Sequence, residues 1–209
     1  MAKITLAVSG SISAYKAADL TSQLTKAGHE VTVIMTKAAT AFITPLTLQA
    51  LSKNLVHTDI MLEENPSSIK HIDVAKETDL FLVAPASANT IAKLAHGLAD
   101  DMLSAVALAL PAGVPKLIAP AMNTNMYLNP ITQDNMAKLK KFGYHFIAPD
   151  SGHLACGIDG VGRLPEPDTI VDYIELLACR NDLLKGKKVI VTAGGTREPI
   201  DPVRFIGNH

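Results

Sequence analysis

The chain alternates between short runs of apolar residues and longer segments in which apolar residues recur at helical spacing. Ile4 to Val8 and Val31 to Met35 are apolar runs rich in β-branched residues, which is typical of buried strands. Between them, apolar residues recur at helical spacing over 17–27, and Gly28 follows as a helix-ending residue. The first part of the chain therefore predicts a strand, a helix and a second strand.

The same alternation continues towards the end of the chain. Further strands are predicted at 80–84, 116–119, 144–148 and 188–192, and further helices at 38–51, 87–97, 101–110, 130–142 and 167–184. Residues 150–166 carry four glycines and little periodicity, so we expect a long loop there. Strands that alternate with helices pair in parallel, with helices on both faces of the sheet. The predicted fold is an α/β, Rossmann-like (flavodoxin-like) doubly wound parallel sheet.

The end of the chain departs from this pattern. Residues 188–192 predict a strand, a glycine-containing turn follows at 193–196, and no helical pattern comes after it. We therefore expect one domain over 1–183 and the truncated start of a second domain over 184–209.

Composition excludes several classes of protein. The 209 residues, 48% of them hydrophobic, suffice for one α/β domain. A net charge of −1 argues against a nucleic-acid partner. The first residues predict a strand and not a signal peptide, and no apolar run is long enough for a membrane span, so we expect a cytoplasmic protein without a membrane partner. Cys156 and Cys179 form no CxxC pair, and we predict no metal site and no disulfide framework.

In a doubly wound sheet, ligands bind beyond the carboxyl ends of the strands, so the residues there are the candidates for a site. Gly10-Ser11-Ile12-Ser13 follows the first strand and opens the predicted helix. A glycine allows a sharp turn, and free N–H groups at a helix start favour a phosphate. An ordinary turn between strand and helix explains the same residues equally well.

Two later strand ends carry polar side chains. Ser87, Asn89 and Thr90 either cap the next helix or bind the polar edge of a flat cofactor, and a cap needs only one of them. Asn123 offers an amide that can hold a carboxylate, with Met126 in a possible apolar wall beside it. The start of a helix with methionines in the core explains that segment as well. If the segment is considered alone, this structural interpretation is the favoured one.

Two further residues have acid–base or redox chemistry. His71 is one of seven histidines, and a lone histidine is more often structural or solvated than catalytic. Cys156 lies in a glycine-rich segment, where a thiol can be exposed and reactive and where a loop can close over a site. Neither residue alone decides a function.

Five segments in this order resemble the homo-oligomeric flavin-containing cysteine decarboxylase family. They are GSISAYK (10–16), KHIDVA (70–75), PASANT (85–90), PAMNTNMY (120–127) and LACGIDGVGRLPEP (154–167). The resemblance covers essentially the whole chain. The Cys156 segment is similar to the branch that acts on phosphopantothenoylcysteine in coenzyme A biosynthesis. Residues 189–209 resemble the start of phosphopantothenate–cysteine ligase, which follows the decarboxylase in bifunctional enzymes.

The resemblance implies FMN as the cofactor and a role for each matching residue. The implied FMN-binding residues are Gly10, Ser11, Ile12, Thr36, Ser87, Ala88, Asn89, Thr90 and Ala121. His71 would be the base, which suits a side chain type that exchanges protons near neutral pH, and Cys156 the proton donor. Asn123 would bind the substrate carboxylate, with Met126 and Ala155 also contacting the substrate.

The implied reaction converts N-(4′-phosphopantothenoyl)-L-cysteine into 4′-phosphopantetheine. FMN would oxidise the thiol-bearing carbon to a thioaldehyde, which accepts the electrons left by CO2. Protonation and re-reduction of the ene-thiolate would complete the product. The resemblance also implies a homo-oligomer of trimers, assembled as a dodecamer.

Other functions stay open at this point. A peptidyl-cysteine decarboxylase and a non-catalytic FMN-binding regulator are alternatives within the family. A nicotinamide dehydrogenase shares only the fold class, and it is disfavoured because the chain has no GxGxxG.

Overall fold

The computed structural model describes residues 1–62, 68–155, 157–178, 186–192, 194 and 197–207. The chain divides into two compact units, Met1–Cys179 and Arg180–His209. Cys156 lies outside the described residues.

A six-stranded parallel sheet forms the centre of the first unit. Its strands are β1 (Lys3–Val8), β2 (Glu30–Met35), β3 (Val56–His57), β4 (Leu80–Ala86), β5 (Lys116–Pro120) and β6 (Tyr144–Phe146). The order across the sheet is β3-β2-β1-β4-β5-β6, and all neighbours run parallel. This is the Rossmann order, in which the direction of winding reverses between β1 and β4. The predicted Rossmann-like, doubly wound α/β fold is confirmed, and the flavodoxin order is not the one adopted.

Helices cover both faces of the sheet. They are α1 (Lys16–Lys26), α2 (Pro45–Ser52), α3 (Lys70–Glu77), α4 (Ala88–His96), α5 (Met102–Ala109), α6 (Thr124–Leu128), α7 (Pro130–Lys141) and α8 (Pro167–Ala178), with 3₁₀-helices at Ile12–Tyr15 and Ala39–Ala41. Successive strand side chains point to opposite faces of the sheet. Leu6 therefore lies in one buried apolar cluster with Leu20 of α1, and Ala7 lies in a second cluster with Ile91 of α4. Two buried apolar clusters therefore hold the layers together.

Strand β4 extends further than the sequence predicted. The prediction ended it at residue 84, but the strand continues through Pro85 to Ala86. The pairing with β5 changes register between Val83 and Ala86. A proline has no N–H for a regular ladder, and this irregularity accommodates it.

The prediction of a long loop over 150–166 is wrong. Strands β7 (Asp150–His153) and β8 (Asp159–Arg163) form an antiparallel hairpin there. Its strands lack the alternation of apolar and polar residues on which strand prediction depends. The glycines at 152 and 162 have φ angles of 156° and 135°, a conformation that favours glycine.

The second unit contains a hairpin of β9 (Arg197–Pro199) and β10 (Phe205–Gly207). The predicted strand at 188–192 is not formed, and the described residues 186–192 contain no regular element. An apolar run becomes a strand only when a neighbour satisfies its backbone groups, and these residues pair with no described strand.

The described residues contain neither a candidate membrane span nor a cluster of side chains suited to a metal ion. No helix among them is long and apolar enough to cross a membrane. No group of three or more His, Cys, Asp or Glu side chains in the same residues is arranged to hold a metal ion.

Candidate active site

Ser9 joins the carboxyl ends of β1 and β4, where the winding reverses. Its hydroxyl donates to the Pro85 carbonyl oxygen at 2.8 Å and accepts from the Ser87 N–H at 2.9 Å. The Ser9 N–H donates to the same Pro85 oxygen at 3.2 Å. Because Ser9 is fully buried, these bonds fix the two strand ends relative to each other without competition from water.

The turns after β1 and β2 touch each other at Gly10. A Cβ atom built on Gly10 would lie 2.7 Å from the Cβ of Ala38, so only glycine fits there. Thr36 follows β2, is buried, and its Oγ1 accepts from the Ala39 N–H at 3.3 Å. The predicted cofactor residues Gly10 and Thr36 therefore lie at one edge of the sheet.

The segment after β1 begins with a 3₁₀-helix, and α1 starts only at Lys16. The Ser11 side chain accepts from the Ser13 N–H at 3.3 Å and caps this short helix. Ile12 and Tyr15 leave 60% and 62% of their surface exposed. This segment thus offers exposed apolar side chains next to a capped turn.

Some of the polar residues after β4 cap the next helix, and one is exposed to solvent. The Ser87 hydroxyl accepts from the Thr90 N–H at 3.3 Å and lies 3.1 Å from the Thr90 hydroxyl, so these two side chains cap α4. Ala88 is half-buried, and Asn89 is exposed. Capping therefore accounts for two of the three polar side chains, and Asn89 remains at the surface.

The segment after β5 runs from a buried to an exposed position. Ala121 is 3% exposed and donates its N–H to the Ala86 carbonyl oxygen at 3.0 Å. Asn123 caps α6, and its Oδ1 accepts from the Asn125 N–H at 2.8 Å. Met126, on α6, is 49% exposed.

A cleft of about 310 Å³ opens between this segment, the first helical turn and the β7–β8 hairpin. Its lining residues are Ser11, Ile12, Ser13, Tyr15, Lys16, Met122, Asn123, His153, Leu154, Ala155, Gly162 and Arg163. The cleft has apolar walls from Ile12, Tyr15 and Leu154, and an amide from Asn123.

Lys16 and Arg163, which both line the cleft, share an ion-pair network with Glu166. Lys16 is 8% exposed, and its Nζ lies 3.0 Å from a Glu166 carboxylate oxygen and 3.3 Å from the Leu164 carbonyl oxygen, to which it donates. Arg163 also pairs with Glu166. The hydrogen bond from Lys16 lowers the pKa of the Glu166 carboxyl below its usual value. The network attaches the end of the hairpin to the start of α1.

Four of the predicted site residues meet in the cleft: Ser11, Ile12, Asn123 and Ala155. The other predicted cofactor residues lie at the same edge of the sheet without lining the cleft, and Met126 is also outside it. Parallel strands bring their carboxyl ends to one edge, which explains why distant segments converge there.

His71 and Cys156 do not join this group in the described residues. His71 lies in the first turn of α3 and does not line the cleft. Its Nδ1 is buried and has no hydrogen-bond partner in the described part of the chain. Cys156, which comes directly after Ala155, lies outside the described residues.

Sequence reasoning missed three residues that shape the site: Ser9, Lys16 and Thr124. Lys16 lies four residues before Leu20, on the helix face that is buried, and that spacing was a usable signal. Ser9 and Thr124 act through contacts with segments distant in sequence, Pro85 and Val161 respectively. No local pattern marks such contacts.

Comparison with known proteins adds a family assignment. Residues 1–178 match the family model described as Flavoprotein. Residues 184–209 match the model described as DNA/pantothenate metabolism flavoprotein C-terminal domain.

Curated relatives are similar over most of the chain. A probable phosphopantothenoylcysteine decarboxylase of Streptococcus mutans is 64% identical over 173 residues, which is 83% of this chain and 97% of the relative. The coenzyme A biosynthesis bifunctional protein CoaBC of Bacillus subtilis is 53% identical over 207 residues, or 98% of this chain. The chain spans 50% of the length of that bifunctional relative.

Solved structures share the fold. A cysteine-to-serine mutant of PPC decarboxylase complexed with pantothenoylaminoethenethiol superposes with a TM-score of 0.79 at 32% identity, covering 85% of this chain and 98% of that one. The FMN-binding protein AtHal3 gives a TM-score of 0.75 at 33% identity, covering 84% and 96%. Since the flavoprotein model matches residues 1–178, this chain belongs to the flavoprotein family.

Proposed function

We propose that this chain binds FMN and decarboxylates phosphopantothenoylcysteine to 4′-phosphopantetheine. The observation that carries the proposal is the cleft in which Ile12, Asn123 and Ala155 meet, beyond the carboxyl ends of β1 and β5. The 64% identity to the probable phosphopantothenoylcysteine decarboxylase of Streptococcus mutans supports the substrate. The likeness to the FMN-binding protein AtHal3 supports FMN as the flavin.

The residues at the sheet edge fit a flavin. Exposed Ile12 and Tyr15 offer apolar contact to a flat ring, and the exposed Asn89 amide offers polar contact to a ring edge. The proposed FMN contacts are Gly10, Ser11, Ile12, Thr36, Ser87, Ala88, Asn89, Thr90 and Ala121. When bound, FMN would supply reversible two-electron oxidation of the thiol-bearing carbon.

Asn123 is proposed to hold the substrate carboxylate. A neutral amide donates a hydrogen bond to a carboxylate without forming an ion pair that would stabilise the charge before CO2 leaves. Its Oδ1 is engaged by the Asn125 N–H at 2.8 Å, which fixes the orientation of the amide. We propose that Met126 and Ala155 complete the substrate contacts.

His71 is proposed as the base that removes a substrate proton. Its Nδ1 is buried and has no partner among the described residues, which leaves this nitrogen available to a water molecule, a ligand or another subunit. Because His71 does not line the cleft, we propose that a second copy of the chain completes the site, in a trimer-based dodecamer.

The remaining roles concern Cys156 and the end of the chain. Cys156 is proposed as the proton donor that converts the ene-thiolate into product, since it follows cleft-lining Ala155 in the sequence. Residues 1–183 are proposed as the decarboxylase domain and 184–209 as the start of a ligase domain. The family model over 184–209 supports this division.

The proposal is tested by incubating the purified protein with phosphopantothenoylcysteine and analysing the product by mass spectrometry. Loss of one CO2 and formation of 4′-phosphopantetheine is the expected result. Substrate that stays unchanged while FMN is demonstrably bound would contradict the proposed reaction.

A further inference from the structure

The β7–β8 hairpin is attached to the segment after β5 by two hydrogen bonds. The Met122 N–H donates to the Gly162 carbonyl oxygen at 3.0 Å, and the Thr124 hydroxyl donates to the Val161 carbonyl oxygen at 2.8 Å. The first bond joins two backbone groups, whereas the second depends on a side chain. Thr124 therefore supplies a contact that substitution can remove selectively.

Two glycines in β8 allow this close approach. A Cβ atom on Gly160 would lie 2.4 Å from the Thr124 Oγ1, and one on Gly162 would lie 2.1 Å from the Met122 carbonyl oxygen. Both distances are well below van der Waals contact, so the β8 backbone rests directly on the segment. Such packing leaves the hairpin little freedom to slide.

The hairpin and the segment form two walls of the cleft. The end of β7 contributes His153, and the residues after it contribute Leu154 and Ala155. The segment after β5 contributes Met122 and Asn123. A displacement of the hairpin would change the separation between Asn123 and Ala155. Cys156 follows Ala155 in the chain, so the proposed proton donor is covalently attached to the wall that the hairpin carries.

We propose that Thr124 is a positioning residue, whose hydroxyl sets the hairpin wall of the cleft at the correct distance from Asn123. This inference rests on the proposed function, in which Asn123 holds the carboxylate and Cys156 donates a proton. Thr124 acts through the two walls and not on the reacting atoms. Without its hydroxyl, CO2 is still lost, but protonation slows and part of the substrate is released as the ene-thiol.

The test compares products after a single turnover with enzyme in excess over phosphopantothenoylcysteine. Released ene-thiol leaves two electrons on the flavin, whereas formation of 4′-phosphopantetheine returns them to the substrate carbon. Mass spectrometry gives the ratio of the two products, and flavin absorbance independently reports the electrons retained. Melting temperature is measured alongside to register any general loss of stability.

Thr124→Val removes the hydroxyl with little change in shape. We expect it to raise the ratio of ene-thiol to 4′-phosphopantetheine about fivefold or more. This is the change in a rate that the net free energy of one hydrogen bond produces. Thr124→Ser keeps the hydroxyl and should restore the wild-type ratio. Thr25→Val is the matched control, because it removes a hydroxyl that donates to the Thr21 carbonyl oxygen at 2.8 Å within α1. Cys156→Ser removes the proposed proton donor itself, so it should give the highest ratio of ene-thiol to 4′-phosphopantetheine.

Several outcomes would overturn the inference. A wild-type ratio in Thr124→Val, with or without a lower total rate, would reduce Thr124 to a structural role. If Thr124→Val does not fold, Gly160→Ala displaces the same contact from the β8 side, and an unchanged ratio there has the same meaning. A wild-type protein that releases no CO2 would remove the proposed function and this inference together, whereas normal wild-type turnover with an unchanged variant ratio removes only the inference.

Discussion

The hydroxyl oxygen of Ser9 lies 2.9 Å from the amide nitrogen of Ser87, and this bond ties the end of β1 to the start of α4. Ser9→Ala leaves the Ser87 N–H without this partner, which should cost about 1–3 kcal/mol of unfolding free energy. It should also loosen the segment proposed to contact FMN. We expect urea unfolding to show the lost stability and gel filtration to show a lower fraction of retained FMN.

Ser52→Ala is the matched control for Ser9→Ala. Ser52 is 5% exposed, and its hydroxyl both donates to the Asn54 carbonyl oxygen and accepts from the Asn54 N–H, each at 3.2 Å. It lies at the end of α2 and is not among the cleft-lining residues. The Ser52→Ala variant should lose stability but retain FMN. Equal loss of FMN in both variants would contradict the proposal that Ser9 holds the FMN-contacting segment in place.

His71→Asn tests the proposed base. Asparagine keeps a polar side chain of similar reach but cannot accept a proton in this pH range. Turnover should fall by about 100-fold or more, as expected for loss of a general base, while FMN stays bound. Steady-state rates and the flavin spectrum measure the two effects. The exposed His145 on β6 provides the control in His145→Asn, and a near-normal rate in His71→Asn would refute the assignment.

Asn123→Asp tests the carboxylate contact by charge. Aspartate caps a helix about as well as asparagine, so the start of α6 should remain stable. Its negative charge would face the substrate carboxylate, and like charges brought together in a cleft cost several kcal/mol. We expect kcat/KM to fall by more than about tenfold with an unchanged melting temperature. Unaltered kcat/KM would mean that the carboxylate binds elsewhere.

The ion pair between Lys93 and Asp101 predicts a pH dependence of stability. Burial disfavours the charged Asp101 carboxylate, but hydrogen bonds from the Lys93 Nζ and the Ser104 N–H, both at 2.8 Å, outweigh it and hold the pKa below its ordinary value. A depressed folded-state pKa contributes stability that is present above the unfolded-state value and is lost as the pH falls through the folded-state value.

Asp101→Asn removes this contribution while retaining a cap for α5. The wild type should therefore lose more unfolding free energy than the variant between about pH 5 and about pH 3, as measured by urea denaturation. The more exposed Asp100 serves as the control in Asp100→Asn, which should keep most of the acid sensitivity. Identical pH profiles for wild type and Asp101→Asn would contradict the role of the pair.

The elements that consist of continuous, buried apolar runs could be predicted from the sequence. Val31 to Met35 and Leu80 to Ala84 were predicted as strands because they are continuous apolar runs, as expected where helices cover both faces of a parallel sheet. Strand β3 escaped prediction because it has only two residues, and the β7–β8 hairpin because glycines replace the apolar alternation. Residues 188–192 show the reverse case, in which an apolar run exists without a described strand to pair with.

Within the candidate site, the residues that follow strands were predictable because topology collects strand ends at one edge. Ser11 and Asn123, more than a hundred residues apart, line the same cleft for this reason. Residues whose roles depend on long-range contacts were not predictable. The Thr124 hydroxyl meets a carbonyl of a hairpin that the sequence did not reveal, and Lys16 meets Leu164 across the fold.

A competition experiment distinguishes phosphopantothenoylcysteine from a peptide substrate for this protein. Phosphopantothenoylcysteine and a peptide ending in cysteine are mixed in equal amounts with the FMN-loaded protein, and both are followed by mass spectrometry in the same sample. We expect phosphopantothenoylcysteine to lose CO2 and become 4′-phosphopantetheine while the peptide stays intact. Loss of CO2 from the peptide in preference to phosphopantothenoylcysteine, or from neither, would contradict it.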